Sequence, residues 1–170
     1  MEELNRVSVE EFKIQDKYPI CIVLDNVRSL HNVGSAFRTS DAFSIAKIYL
    51  CGITGTPPNR EINKTALGAT ESVAWEYVDQ TSSIVSQLKA EGWVICAIEQ
   101  VENSISLLDF VPAQGKKYAL IFGNEVDGVD LALINQSDKV IEIPQYGTKH
   151  SLNVSVSLGV VVWDMLAKWH

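Results

Sequence analysis

Five short runs constrain the fold more than anything else in the chain: Ile20-Cys-Ile-Val-Leu24, Lys47-Ile-Tyr-Leu-Cys51, Trp93-Val-Ile-Cys-Ala-Ile98, Tyr118-Ala-Leu-Ile-Phe122 and Val140-Ile-Glu-Ile143. They are mostly apolar from end to end, so strands built from them need cover on both faces. The segments between them have helical spacing. Val33 to Phe43 reads as a helix with Asn32 as N-cap and Val33, Ala36, Phe37 and Ser40 on its small or apolar face. Thr81 to Glu91 reads as another, with Gly92 as its stop. Parallel strands need such crossovers, so the expected fold class is α/β, a mostly parallel sheet with helices on both faces. Two lesser elements are expected between these: a brief helix at Lys64-Thr-Ala-Leu-Gly-Ala69 and a strand at Val73-Ala-Trp-Glu-Tyr77.

A chain of 170 residues with a 46% hydrophobic share suits one domain. Residues 1–17 read as a short preamble, in which Ser8-Val-Glu-Glu11 fits a capping box, and residues 18–170 as the domain itself. No apolar stretch reaches membrane-span length, and the acidic, polar start does not read as a signal peptide. The expected location is the cytoplasm, with no membrane partner. Cys21, Cys51 and Cys96 each lie in or beside an apolar run, without a CxxC pair or a His cluster at metal-ligand spacing, so they read as buried thiols and no metal is expected. The net charge of −7 opposes nonspecific attraction to nucleic acid.

Three polar stations follow strands: Asn32 to Arg38, Gly123 to Gly128, and Pro144 to Asn153. Loops at the carboxyl ends of open α/β sheets are where ligands bind. None of the three is a GxGxxG turn, a P-loop or an EF-hand. After the third comes an unusually apolar helix. Val154, Leu158, Val161, Val162, Met165, Leu166 and Trp169 form one buried face, and Val156, Val160 and Trp163 a second stripe. Two stripes suit either complete burial within one chain or a second subunit on the far side.

The stations also carry a family resemblance. Asn32-Val-Gly-Ser-Ala-Phe-Arg38, Phe122-Gly-Asn-Glu125-Val-Asp-Gly128 and Ile143-Pro-Gln-Tyr-Gly-Thr-Lys-His-Ser151-Leu-Asn153 resemble motifs 1, 2 and 3 of the SpoU (TrmH-like) RNA 2′-O-ribose methyltransferases of the SPOUT superfamily. The match is in the family's order from about Pro19 onward. It implies a C-terminal deep trefoil knot, S-adenosyl-L-methionine held by the knot loops, and a homodimer. Methyl-donor contacts carry over to Gly123, Ile143 and Leu152, with Ile98 and Glu99 as weaker candidates. Without the flanking motifs, Ile143 and Leu152 would read as ordinary core.

Asn32, Arg38, Glu125, Ser151 and Asn153 match the family's catalytic and structural polar positions. The family casts Arg38 as activating the ribose 2′-hydroxyl. A guanidinium does not readily lose its proton, so a charge-assisted role on phosphate and developing alkoxide is the expectation. Glu125 is expected to fix a loop or a partner side chain, and Ser151 and Asn153 to cap the last helix while ordering the site. For Asn153 a plain N-cap and a direct substrate contact both stand.

Arg28, His31, Arg38, Arg60, Lys64, Lys149 and His150 sit on or near the motif loops, so convergence would make a basic patch on an acidic body. The resemblance implies an RNA ribose 2′-O-methyltransferase. Thr56-Pro-Pro-Asn59 and Lys64–Ala69 look most like members that act on a D-loop guanosine of tRNA. The alternatives are a ribosomal RNA 2′-O-methyltransferase, a base N-methyltransferase on the same fold, and a noncatalytic RNA-binding dimer.

Overall fold

A computed structural model describes residues 4–170. Its centre is a seven-stranded sheet whose paired strands are all parallel. In chain order the strands are β1 (Tyr18–Asp25), β2 (Ile45–Cys51), β3 (Trp75–Val78), β4 (Trp93–Ile98), β5 (Ile105–Ser106), β6 (Lys117–Phe122) and β7 (Lys139–Glu142). Across the sheet they run β3-β2-β1-β6-β4-β7-β5. The helices are α1 (Val9–Ile14), α2 (Leu30–Ala42), α3 (Arg60–Ala66), α4 (Ala69–Ser72), α5 (Thr81–Ala90), α6 (Leu131–Gln136) and α7 (Val154–Trp169). No helix among the described residues is long and apolar enough to cross a membrane.

The uniformly apolar strands are explained by the two layers they separate. Ile20, Ile22, Leu24, Leu120 and Phe122 pack with α2, α3 and α7, including Val33, Phe37, Ile62, Leu158 and Val162. Their sequence neighbours Cys21, Val23, Ala119 and Ile121 turn to the other face and meet Ile84, Val85 and Leu88 of α5 and Leu133 of α6. Successive side chains of a strand point to opposite faces, and both faces here are dry. All three cysteines are buried and unpaired. Ser8 and Glu11 form the expected capping box, and Phe12 of the helix it starts is buried in the core.

Three local expectations are corrected. Helix α2 begins at Leu30, and its cap is Ser29, whose hydroxyl accepts from the Asn32 N–H. Asn32 lies inside the first turn, which frees its amide for other partners. The expected helix at 64–69 is two pieces. Asn59 caps α3, and the left-handed backbone of Leu67 (φ 50°) and Gly68 (φ 90°) separates it from α4. The strand expected at 73–77 is shifted to Trp75–Val78, because Val73 still belongs to the end of α4.

Candidate active site

The three polar stations meet at the carboxyl edge of the sheet. Gly123 directly follows β6, and a Cβ there would come within 2.2 Å of the Gly128 carbonyl carbon. Only glycine permits that approach. The loop it opens closes on itself, with Asn124 and Gly128 exchanging backbone hydrogen bonds of 3.0 and 2.9 Å. The Asn124 side-chain oxygen accepts from the Val126 and Asp127 N–H groups inside that turn, and its amide donates to the Asn26 carbonyl at the end of β1. The second loop is thus tied to the first.

Glu125, at the turn's tip, completes the tie. Its carboxylate accepts from the backbone N–H groups of Arg28 (3.1 Å) and Ser29 (3.0 Å), where α2 starts. Partial burial opposes the charge, but these two donors, its own N–H and the Asn32 amide outweigh it, holding the carboxyl below its ordinary range. An anion at this point also suits the positive end of α2.

The third loop arrives through Asn153. It is the N-cap of α7, its oxygen accepting from the Ser155 and Val156 N–H groups. Its amide nitrogen donates to the Asn32 oxygen at 3.2 Å, and the Asn32 amide nitrogen reaches Glu125 at 3.5 Å. One asparagine therefore links the other two loops. Gly34, two residues further, lets α2 and α3 touch: a Cβ there would lie 2.1 Å from the Thr65 hydroxyl and 2.2 Å from the Ile62 carbonyl oxygen.

Beside this junction lies a cavity of about 620 Å³. Ile98, Gly123, Ile143 and Leu152 all line it, as do Glu99, Glu125, Ser151 and Asn153. Of the ten residues singled out from the sequence, eight share this lining and Asn32 is bonded to two of them. Arg38 is apart. It is exposed on α2, outside the lining, and makes no ion pair among the described residues. Ser151 does not cap α7, a task that Asn153 performs alone; it is exposed at the cavity's mouth.

Glu99, part of the lining, also braces the neighbouring loop. Its two oxygens accept from the Gln100 and Val129 N–H groups, and the same carboxylate fills the space where Gly128, at φ 71°, has no Cβ. Of the seven basic residues near the loops, His31 and Lys64 are both held by Glu61, at 2.8 and 2.9 Å. Sequence reading passed over Ser29, Asn124 and Asn26; Asx and Ser residues at strand and helix ends were the available signal. No group of three or more His, Cys, Asp or Glu residues among those described could hold a metal ion.

The volume is that of a pocket for a ligand of nucleotide size. Apolar Ile98, Phe122, Ile143 and Leu152 offer a surface for a flat ring, and the carboxylates suit a cationic ligand.

The chain is similar to known proteins along most of its length. The model of the SpoU rRNA Methylase family matches residues 19–163. The 23S rRNA (guanosine-2'-O-)-methyltransferase RlmB of Vibrio parahaemolyticus is 28% identical over 163 residues, 95% of this chain and 64% of that protein. The tRNA (guanosine(18)-2'-O)-methyltransferase of Aquifex aeolicus is 30% identical over 151 residues, 85% of this chain and 67% of that one. Among solved structures, the A. aeolicus TrmH/SpoU tRNA modifying enzyme superposes with a TM-score of 0.82 at 28% identity, covering 94% of this chain and 79% of the other. The AdoMet-bound rRNA methyltransferase from Sinorhizobium meliloti gives 0.80 at 25% identity, covering 94% and 60%. The chain spans 64% of the length of the V. parahaemolyticus relative. With the β6 loop and the starts of α2 and α7 joined through Asn32 and the family match over residues 19–163 running through all of them, this chain belongs to the SpoU rRNA Methylase family.

Proposed function

We propose that the protein is a cytoplasmic S-adenosyl-L-methionine-dependent RNA ribose 2′-O-methyltransferase, residues 18–170 forming its catalytic domain. The observation that carries this reading is the junction itself: Glu125 in the loop after β6, Asn32 in the first turn of α2 and Asn153 at the start of α7 are bonded in series beside one cavity. A binding module that only holds RNA has no need of a cavity of this size next to such a junction.

The lining fits the methyl donor. Ile98, Ile143 and Leu152 would flank its adenine, backbone groups around Gly123 would meet the ring edge, and the nearby carboxylates would favour its positive charge. When bound, the donor supplies a methyl carbon made electrophilic by a sulfonium. The chain supplies orientation: a rigid junction sets where a ribose 2′-oxygen can stand, and placement of two reactants is worth much of such a rate. Arg38 holds the neighbouring phosphate and steadies charge growing on the 2′-oxygen. Its exposed position on α2 suits an RNA contact better than a donor contact.

The RNA is tRNA on this reading, a D-loop guanosine first, supported by the Thr56–Asn59 and Lys64–Ala69 stretches and by the A. aeolicus relative. Ribosomal RNA is the second reading, favoured by relatives named for 23S rRNA. The working unit is a homodimer. Val156, Val160 and Trp163 form a single exposed stripe on α7 (50%, 39% and 62% exposed), which a second copy would cover. The trefoil knot belongs to the same proposal. It is supported by the path of the chain, which leaves β7 on one side of β4 and returns on the other to set α7 against α2.

Incubating the protein and labelled methyl donor with unmodified tRNA and 23S rRNA transcripts, followed by nucleoside mass spectrometry, tests the reading. The expected product is a 2′-O-methylguanosine in tRNA. Methyl groups found only on bases, or no donor binding by calorimetry, would refute it.

A further inference from the structure

We infer that the carboxylate of Glu61 holds the place of an RNA backbone phosphate, and that His31 and Lys64 exchange it for that phosphate when the substrate binds. The inference rests on the methyltransferase reading above and adds a contact surface for the RNA which that reading requires.

Glu61 is the one carboxylate among the described residues that pairs with two basic side chains. Its two oxygens are divided between donors from two helices. His31 Nε2, from the first turn of α2, lies 2.8 Å from Oε2, and Lys64 Nζ, from α3, lies 2.9 Å from Oε1. A phosphodiester presents the same charge and a like pair of free oxygens, so it satisfies the same two donors. The exchange costs little. The side chains of Glu61, Lys64 and His31 are 41%, 52% and 57% exposed, and exposed ion pairs contribute little to a fold.

The donors stand on a rigid frame. The Thr65 hydroxyl donates to the His31 carbonyl oxygen at 2.7 Å, Asn59 caps α3, and Gly34 lets the two helices touch. That frame adjoins the cavity. His31 immediately precedes Asn32 of the junction, and the backbone N–H groups of Arg28 and Ser29 hold Glu125 of the lining. A ribose at the cavity mouth brings its flanking backbone past the start of α2. Arg28 and Arg60, exposed near these donors in the chain and without an ion pair among the described residues, extend the same surface. On a chain of net charge −7, charge complementarity favours such a face for a polyanion.

Filter binding of labelled, unmodified tRNA and 23S rRNA transcripts to the full chain, over a salt series, tests the exchange. Removing the placeholder should tighten binding. For Glu61→Gln we expect Kd to fall about three- to ten-fold near physiological salt, the size of two exposed ion pairs. The logarithmic salt dependence should steepen by about 1. Glu76→Gln breaks the Lys47–Glu76 pair on β3 with the same change of net charge, and should shift Kd by less than about two-fold, because salt screens distant charges. In the double variant Glu61→Gln/Lys64→Gln the gain should disappear. A gain in Glu61→Gln no larger than in Glu76→Gln overturns the proposal, since net charge then accounts for it. A gain that survives the loss of Lys64 overturns it as well. If the native chain binds neither RNA nor S-adenosylhomocysteine, the methyltransferase reading falls and takes the exchange with it, a result distinct from the other two.

Discussion

The amide nitrogen of Asn153 donates to the side-chain oxygen of Asn32 across 3.2 Å, although 121 positions separate them in the chain. One end of this bond is the N-cap of α7 and the other lies in the first turn of α2. Each helix start is therefore held by the other's side chain, and the cavity is positioned by both.

This pair should show energetic coupling. Asn153→Ala loses a helix cap as well as the bond, at a cost of about 1 kcal/mol from the cap alone. In a double-mutant cycle with Asn32→Ala, read by urea denaturation, the coupling should be about 0.5–1.5 kcal/mol. Strict additivity would show that the two amides are neighbours without energetic consequence.

Glu125 makes stability depend on pH in a defined direction. Its folded pKa is depressed, so its contribution is complete above the unfolded value of 4.5 and is lost as pH falls through the folded value. Replacing it with Gln should cost about 1 kcal/mol at pH 7 and progressively less in acid. Denaturation curves of both proteins at pH 7 and below pH 4 check this. A constant gap at all pH values would mean that the charge is irrelevant.

Arg38 lies outside the cavity, so its loss should separate binding from turnover. Arg38→Ala is expected to lower turnover at least 10²-fold while leaving S-adenosylhomocysteine affinity within about two-fold. Equal losses in both would move Arg38 to the donor side.

The exposed stripe on α7 predicts an assembly. Val160→Glu places a charge at its middle without touching the buried face of the helix. Sedimentation velocity should then report a monomer in place of a dimer. A native chain that already sediments as a monomer at micromolar concentration would remove the stripe from the interface.

The thiols should be silent. Burial pushes Cys51 and Cys96 up to about 12 and raises Cys21 as well, so little thiolate exists near neutral pH. Iodoacetamide at pH 8 should leave the folded protein unlabelled and modify all three cysteines in denaturant. Labelling of the native chain at any of them would show that the sheet opens there.

Local chemistry was enough to determine much of this protein. Uninterrupted apolar runs of β-branched residues such as Ile20–Leu24 fit strands covered on both faces, because successive side chains of a strand point to opposite sides and both sides are dry here. Helical spacing picked out the buried faces of α2 and α7 in the same way. The family resemblance named eight residues that line the cavity, and also Arg38, which lies outside it. Partnership was what only the tertiary structure decided. Ser29 caps α2 and leaves Asn32 free for Glu125 and Asn153, and the carboxylate of Glu99 is committed to Val129. A polar side chain has several possible hydrogen-bond partners of similar energy, and sequence spacing cannot rank those brought close only by folding. Apolar burial depends on pattern, whereas hydrogen bonding depends on position, and position exists only once the chain has closed on itself.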